Sequence, residues 1–283
     1  MNTSTSTDHA LRTISPESDF RILVISAGDT VAEILDAQNP HESSRGMFAD
    51  LITASILLRL TMSPDYRLQA ILQTPDAGRM VGDSHPDGIT RGLVQRFGDA
   101  PFATGASTQL SVHRTLYGGE THEGVVRTGE NQRLADAVTG YLHRSEQITS
   151  VIDIDHTFDG DDLTFAGGYL VQLVPQGERP DQSDLALMTA RLENLPSVPR
   201  LFDRCDDDTA DVADTLYGPI EFEALEANEF DAGCVCSVER VRKALVTLPD
   251  EDLDDLEADG DVVEVDCDYC GQSHEVELAE LRS

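Results

Sequence analysis

Four of the five cysteines lie in the last fifty residues, as Cys234-Val-Cys236 and Cys267-Asp-Tyr-Cys270, and no other feature limits the chain's fold so tightly. Two close pairs brought together place four thiolate sulfurs at the corners of a tetrahedron, the geometry of closed structural Zn²⁺ sites. The pattern points to one zinc per reduced chain, with Cys234, Cys236, Cys267 and Cys270 as ligands. Gly271 follows the second pair and supplies the tight turn of a zinc knuckle. The first pair has a single residue between its thiols, which predisposes them to oxidise to a disulfide when an oxidant displaces the metal. Two structural disulfides are the competing arrangement. No early stretch joins a basic start to an apolar run, so no secretory signal is expected, and Met1–Asp8 is polar and reads as disordered. A chain kept in the reducing cytoplasm rarely holds structural disulfides, which favours the metal. Spacing alone leaves open whether the zinc is an inert staple, as most four-cysteine sites are, or a switch.

Charge narrows the partners. The 283 residues carry 53 acidic against 20 basic side chains, and Lys243 is the only lysine. Such a surface repels phosphate backbones, so nucleic acid is not expected despite the zinc-ribbon look of the C-terminus. The acid is spread along the chain and not gathered in one block, which fits a cytoplasm salty enough to screen it better than it fits a basic partner. No apolar run approaches the ~20 residues of a membrane span. At 40% hydrophobic, the chain is long enough for one sizeable core and a small satellite domain.

Along the chain, Phe20–Ser26 is a compact β-rich run. After a turn at Asn39-Pro40, Met47, Leu51, Ala54, Leu58 and Met62 recur at helical spacing, an apolar stripe ended by Pro64. Strands are predicted over Arg67–Gln73, Gln109–Thr115, Glu123–Thr128, Ser150–His156 and Leu163–Val174, with a helix over Asn131–His143. From about Gly177 to Gly233 the character changes. Leu185, Met188, Leu192 and Leu195 form one more helical stripe, and then Asp203–Asp231 holds eleven acidic residues with Arg204 as its one basic residue. With few apolar residues to bury, this segment is expected to fold marginally, although a charge run is more commonly a solvated face. No phosphate-binding loop and no Gly-x-Ser-x-Gly elbow occurs, so nucleotide hydrolysis and serine hydrolase chemistry have no support and no enzyme is expected.

The Cys-x-Cys pair followed by Ser237-Val-Glu-Arg240, the run Ala244–Asp250 and Cys267-Asp-Tyr-Cys-Gly271 resemble the thirty-three-kilodalton heat-shock protein family, the redox-regulated holdase chaperones. In the core, Tyr141–Gln147 and Gly167–Pro175 look like the same family's pattern, so the likeness runs from about Phe20 to the end. It implies a cytoplasmic, ATP-independent stress-response chaperone that is a poor holdase while all four cysteines hold zinc. Oxidants would form disulfides Cys234–Cys236 and Cys267–Cys270, release zinc, unfold the module and linker, and expose surface that captures unfolding client proteins. A second copy of the chain is a candidate partner in the oxidised state.

Taken together, the expected fold is α+β: a disordered tail (1–19), a mixed-sheet core domain with packed helices (20–177), a metastable, helical acidic linker (178–233) and a zinc-binding redox-switch domain (234–283). The linker departs from the family's mixed-sign pattern in being overwhelmingly acidic. Cys205 inside it is an incidental thiol or, once the linker opens, a site for mixed disulfides. His274 is expected to be exposed and not a ligand, and Asp153-Ile-Asp155-His156 a half-buried strand and not a metal site. Two alternatives stay open: a constitutive holdase with purely structural zinc, and a zinc-ribbon protein binding a nucleic-acid or ribosomal partner.

Overall fold

A computed structural model describes residues 8–98, 100–116, 119–174 and 182–281. In chain order the elements are β1 (His9–Ser15), β2 (Phe20–Ser26), α1 (Gly28–Gln38), α2 (Glu42–Leu60), β3 (Tyr66–Thr74), β4 (Gly78–Ser84), β5 (Ile89–Arg96), β6 (Gln109–Leu116), β7 (Thr121–Arg127), α3 (Leu134–Tyr141), a π-turn (Leu142–Glu146), β8 (Ser150–Asp159) and β9 (Asp162–Leu173). There follow α4 (Gln182–Leu192), α5 (Val198–Arg204), α6 (Thr209–Tyr217), β10 (Glu223–Asn228), β11 (Asp231–Ala232), α7 (Val238–Leu245), α8 (Asp250–Asp259), β12 (Val262–Asp266) and β13 (Ser273–Glu277). The fold is α+β. The chain divides into two compact units, Met1–Ala232 and Gly233–Ser283. Among the described residues, no helix is long and apolar enough to cross a membrane.

The first unit holds two sheets, one ordered β10-β1-β2-β9-β8 and the other β11-β5-β4-β3-β6-β7. The β11–β5 pair is parallel and makes the second sheet mixed. Helix α2 packs against β3 and β4 of one sheet and β8 and β9 of the other. This explains why it buries Phe48, Leu51, Ile52, Ile56, Leu57 and Leu58 on all sides where the sequence predicts a single stripe. The close approach needs Gly82, where a Cβ would collide with Ser55 Oγ and the Leu51 carbonyl.

Strand β2 is apolar at nearly every position because both its faces are covered. Leu23 and Ile25 point into the two-sheet core, whereas Phe20, Ile22 and Val24 point outward against α5 and α6. That outer layer corrects the expectation that Asp203–Asp231 has few apolar residues to bury. Val198, Leu201 and Phe202 on α5 and Val212, Leu216 and Tyr217 on α6 recur at helical spacing and lie buried on the outer face. Asp203, Asp211 and Asp214 are exposed on the opposite helix faces and Asp206, Asp207 and Asp208 in the connection between them, so a charge-rich composition conceals two amphipathic helices. The segment also contributes two strands: β10 pairs with β1 and β11 with β5. The boundary at 177/178 lies outside the described residues.

The tail expected to be disordered over 1–19 is ordered from Asp8, and residues 1–7 lie outside the described residues. Its His9–Ser15 stretch has too little apolar alternation to announce a strand, but β1 is paired on both edges, with β2 and β10, in antiparallel register. Asp8 itself is buried, and its carboxylate accepts from the Asp29 and Thr30 amides at 3.1 and 2.5 Å, capping α1.

Candidate metal centre

The second unit is small and sparsely filled. Among its described residues, the buried apolar side chains are Leu253, Val276 and Leu278. Strands β12 and β13 pair as a hairpin from Val262↔Glu277 to Asp266↔Ser273, and the connection between them carries the second cysteine pair. The Gly271 amide donates to the Cys267 carbonyl at 2.7 Å and the Cys267 amide to the Gln272 carbonyl at 2.9 Å. Gly271 takes φ +70°, as the knuckle reading requires. Cys234 and Cys236 lie on the approach to α7, whose N-terminus is capped by Ser237 Oγ accepting from the Arg240 amide at 3.3 Å. Helix α7 packs on β13, so both pairs are carried on elements in mutual contact.

All four predicted ligand residues come together, with every pair of sulfurs within 4.8 Å. Cys234 Sγ lies 3.6 Å from Cys267 Sγ, and Cys236 Sγ lies 3.5 Å from Cys270 Sγ. A zinc tetrahedron with Zn–S bonds of about 2.3 Å has edges of about 3.8 Å, so the sulfur set matches it in number, chemistry and spacing. Desolvation, with hydrogen bonding among the crowded sulfurs, pushes the Cys236 thiol far above the ordinary range, and desolvation raises Cys270 too. Thiols so crowded deprotonate together only when a cation neutralises them. The donor set therefore fits a divalent, thiophilic metal.

One neighbour, Gln272, went unremarked in the sequence. Gln272 places its Oε1 3.7 Å from Cys236 Sγ. His274 is buried, contrary to expectation, because position 274 falls on the covered face of β13 with Val276. Strict alternation in Ser273–Glu277 was the signal available. It does not belong to the four-cysteine cluster. Cys205 stands apart in the first unit, buried in the outer layer with its Sγ 3.8 Å from Thr215 Oγ1. Asp153 and His156 lie on β8 as expected. Their partners are Arg133 at 2.5 Å and Asp50 at 2.7 Å.

Residues 8–277 match the family model described as Hsp33 protein. A 33 kDa chaperonin of Salmonella typhi is 30% identical over 274 residues, covering 92% of this chain and 90% of its own length. A 33 kDa chaperonin of Escherichia coli (strain K12 / DH10B) is 28% identical over 273 residues with the same coverage. The crystal structure of the 33 kDa chaperonin from Thermotoga maritima shares the fold, with a TM-score of 0.80 over 97% of this chain and 96% of that one at 21% identity. Because the family match runs through the two-sheet body as well as the cysteine module, the chain belongs to the Hsp33 protein family.

Proposed function

We propose that the chain is a redox-controlled, ATP-independent holdase, switched on when the four-cysteine site is oxidised and zinc leaves. The observation that carries this reading is the clustering of four sulfurs within 4.8 Å in a unit with so little else to hold it. Three buried apolar side chains at ~1.5–3 kcal/mol each contribute less than the ~10–16 kcal/mol that zinc, which would hold the sulfurs as thiolates, supplies to small four-ligand modules. Without the metal the unit is too small to stay folded.

Oxidation balances simply. Each deprotonated cysteine pair would give two electrons to one molecule of hydrogen peroxide, which takes two protons from solvent and leaves as two waters, and one S–S bond forms. The family resemblance assigns the bonds as Cys234–Cys236 and Cys267–Cys270. In the reduced site the contacts of 3.6 Å between Cys234 and Cys267 and 3.5 Å between Cys236 and Cys270 cross between the pairs, so peptide mapping is the deciding measurement.

The surface that would hold clients is the outer face of the β10-β1-β2-β9-β8 sheet. While α4–α6 are docked, they cover Phe20, Ile22, Val24, Tyr169 and Val171. Undocking would bare a contiguous apolar patch of the kind that captures unfolding chains. The exposed acids of α6 and of the connection before it, Asp206, Asp207, Asp208, Asp211 and Asp214, would disfavour redocking as screening falls. Unfolded proteins are the partners, the reducing cytoplasm is the compartment, and the net charge of −33 weighs against the nucleic-acid alternative.

The test compares reduced, zinc-loaded protein with peroxide-treated protein at high salt, following zinc release, disulfide mapping and suppression of client aggregation together. Oxidised protein alone should protect the client. Equal protection by the reduced form would transfer the reading to a constitutive holdase, and zinc bound through fewer than three sulfurs would remove the switch altogether.

A further inference from the structure

The stretch Tyr141–Gln147, which the switch does not use, and Gln172 of β9 converge on one cavity of about 260 Å³ in the first unit. After α3 the chain widens into the π-turn, a rare feature frequent at functional sites, and closes with Gln147 at φ +57°. The turn brings Glu146 back so that its carboxylate accepts from Tyr141 Oη at 2.5 Å and from Arg114 Nη1 at 2.6 Å.

Opposite stands Arg21 on β2, whose guanidinium hydrogen-bonds the neutral amide oxygen of Gln172, with Nε at 3.1 Å. Burial, and the charge of Arg12 beside it, lower the Arg21 pKa, the mark of a cation lacking a counter-charge. Arg114 keeps its Nε buried without a hydrogen-bond partner among the described residues. Two guanidiniums against one carboxylate leave this cavity with one uncompensated positive charge, inside a protein of net charge −33. Leu58, Met62, Leu142 and Ile148 complete its walls, and exposed Ser63 stands at its rim.

We propose that this cavity binds a small organic monoanion: a carboxylate taken by Arg21 and Arg114, carried on an apolar body that rests on Leu58, Met62, Leu142 and Ile148. A planar guanidinium fork matches a carboxylate in shape. A single surplus charge matches a monoanion better than a phosphate dianion, and the apolar wall would stay wetted by a bare inorganic ion. The carboxylate could come from a free acid or from a peptide C-terminus.

Benzoate is the probe and benzamide its neutral counterpart, titrated into the full reduced, zinc-loaded chain at fixed high potassium chloride and followed by calorimetry and ligand-observed NMR. Benzoate should bind saturably and about tenfold or more tighter than benzamide, and Arg21→Gln should remove most of that difference. A short peptide ending in leucine, with free or amidated C-terminus, distinguishes the sources. Binding of the free-acid peptide alone assigns the site to chain ends, its failure alongside bound benzoate assigns it to free acids, and either upholds the site. Equal binding of benzoate and benzamide, no saturable binding of either, or unchanged benzoate affinity in a folded R21Q protein would overturn it. The benzoate-against-benzamide comparison needs no variant to fold.

Discussion

Replacing Phe202 by alanine tests whether the outer layer opens independently of the two-sheet core. Phe202 is fully buried on the outer face, its ring 5.1 Å from that of Phe165 and tilted by 58°. A buried Phe→Ala change costs about 3–5 kcal/mol, transfer and cavity together. Sub-global openings lie below the ~5–15 kcal/mol of whole-domain stability, so a loss of that size raises the undocked population by roughly two to four orders of magnitude at ~1.4 kcal/mol per decade. The inner core is spared because Phe202 lies across the sheet from Leu23 and Ile25. Native-state hydrogen exchange on reduced, zinc-loaded protein at high salt should show α4–α6 exchanging faster while α2, β3 and β4 keep their protection. The same reduced variant should suppress client aggregation. Tyr217→Phe is the control: the ring stacked on Phe222 at 4.3 Å stays, and the hydroxyl's two hydrogen bonds, donated to the Phe20 carbonyl and accepted from Thr13 Oγ1, are lost at about 1 kcal/mol each. Acceleration spread equally over both layers, or an unaltered exchange pattern, would refute the independent-layer argument.

Gly271→Ala should weaken zinc binding by roughly five- to thirtyfold in competition titrations. Its Cβ meets nothing within 4 Å, and the cost of holding φ +70° is about 1–2 kcal/mol. Lowering potassium chloride from molar to millimolar should lower the melting midpoint, because 33 excess negative charges lose their screening, and an unchanged midpoint would reject the salt-adapted reading. The His156–Asp50 pair should make stability fall with rising pH. Burial pulls the His156 imidazolium down, but the 2.7 Å hydrogen bond and the charges of Asp50 and Asp155 outweigh it and hold its pKa above the ordinary value. That contribution is complete below about pH 6.5 and is lost as pH rises through the folded value, so the melting midpoint should drop from about pH 6 to about pH 8, and less so in Asp50→Asn.

The four-cysteine cluster was legible in the sequence because it is almost local: each cysteine pair spans a few residues, and Gly271 fits the turn that follows. Periodicity likewise marked β2, β3, β6, β8, β9, α2, α3 and α4, since a residue's alternation reports whether its own side chain is covered. Alternation says nothing of what does the covering. Strand β1 exists because β2 and β10 pair with it, and α1, whose flanking Ala27 offers no side-chain cap, takes one from Asp8 across the chain. The outer helices owe their burial to the second face of a sheet formed by strands far from them in sequence. The cationic cavity gathers residues 21, 114, 146 and 172 from four separate elements. Such placements depend on long-range pairing and burial on two faces, physical facts of the assembled chain that no window of neighbouring residues contains.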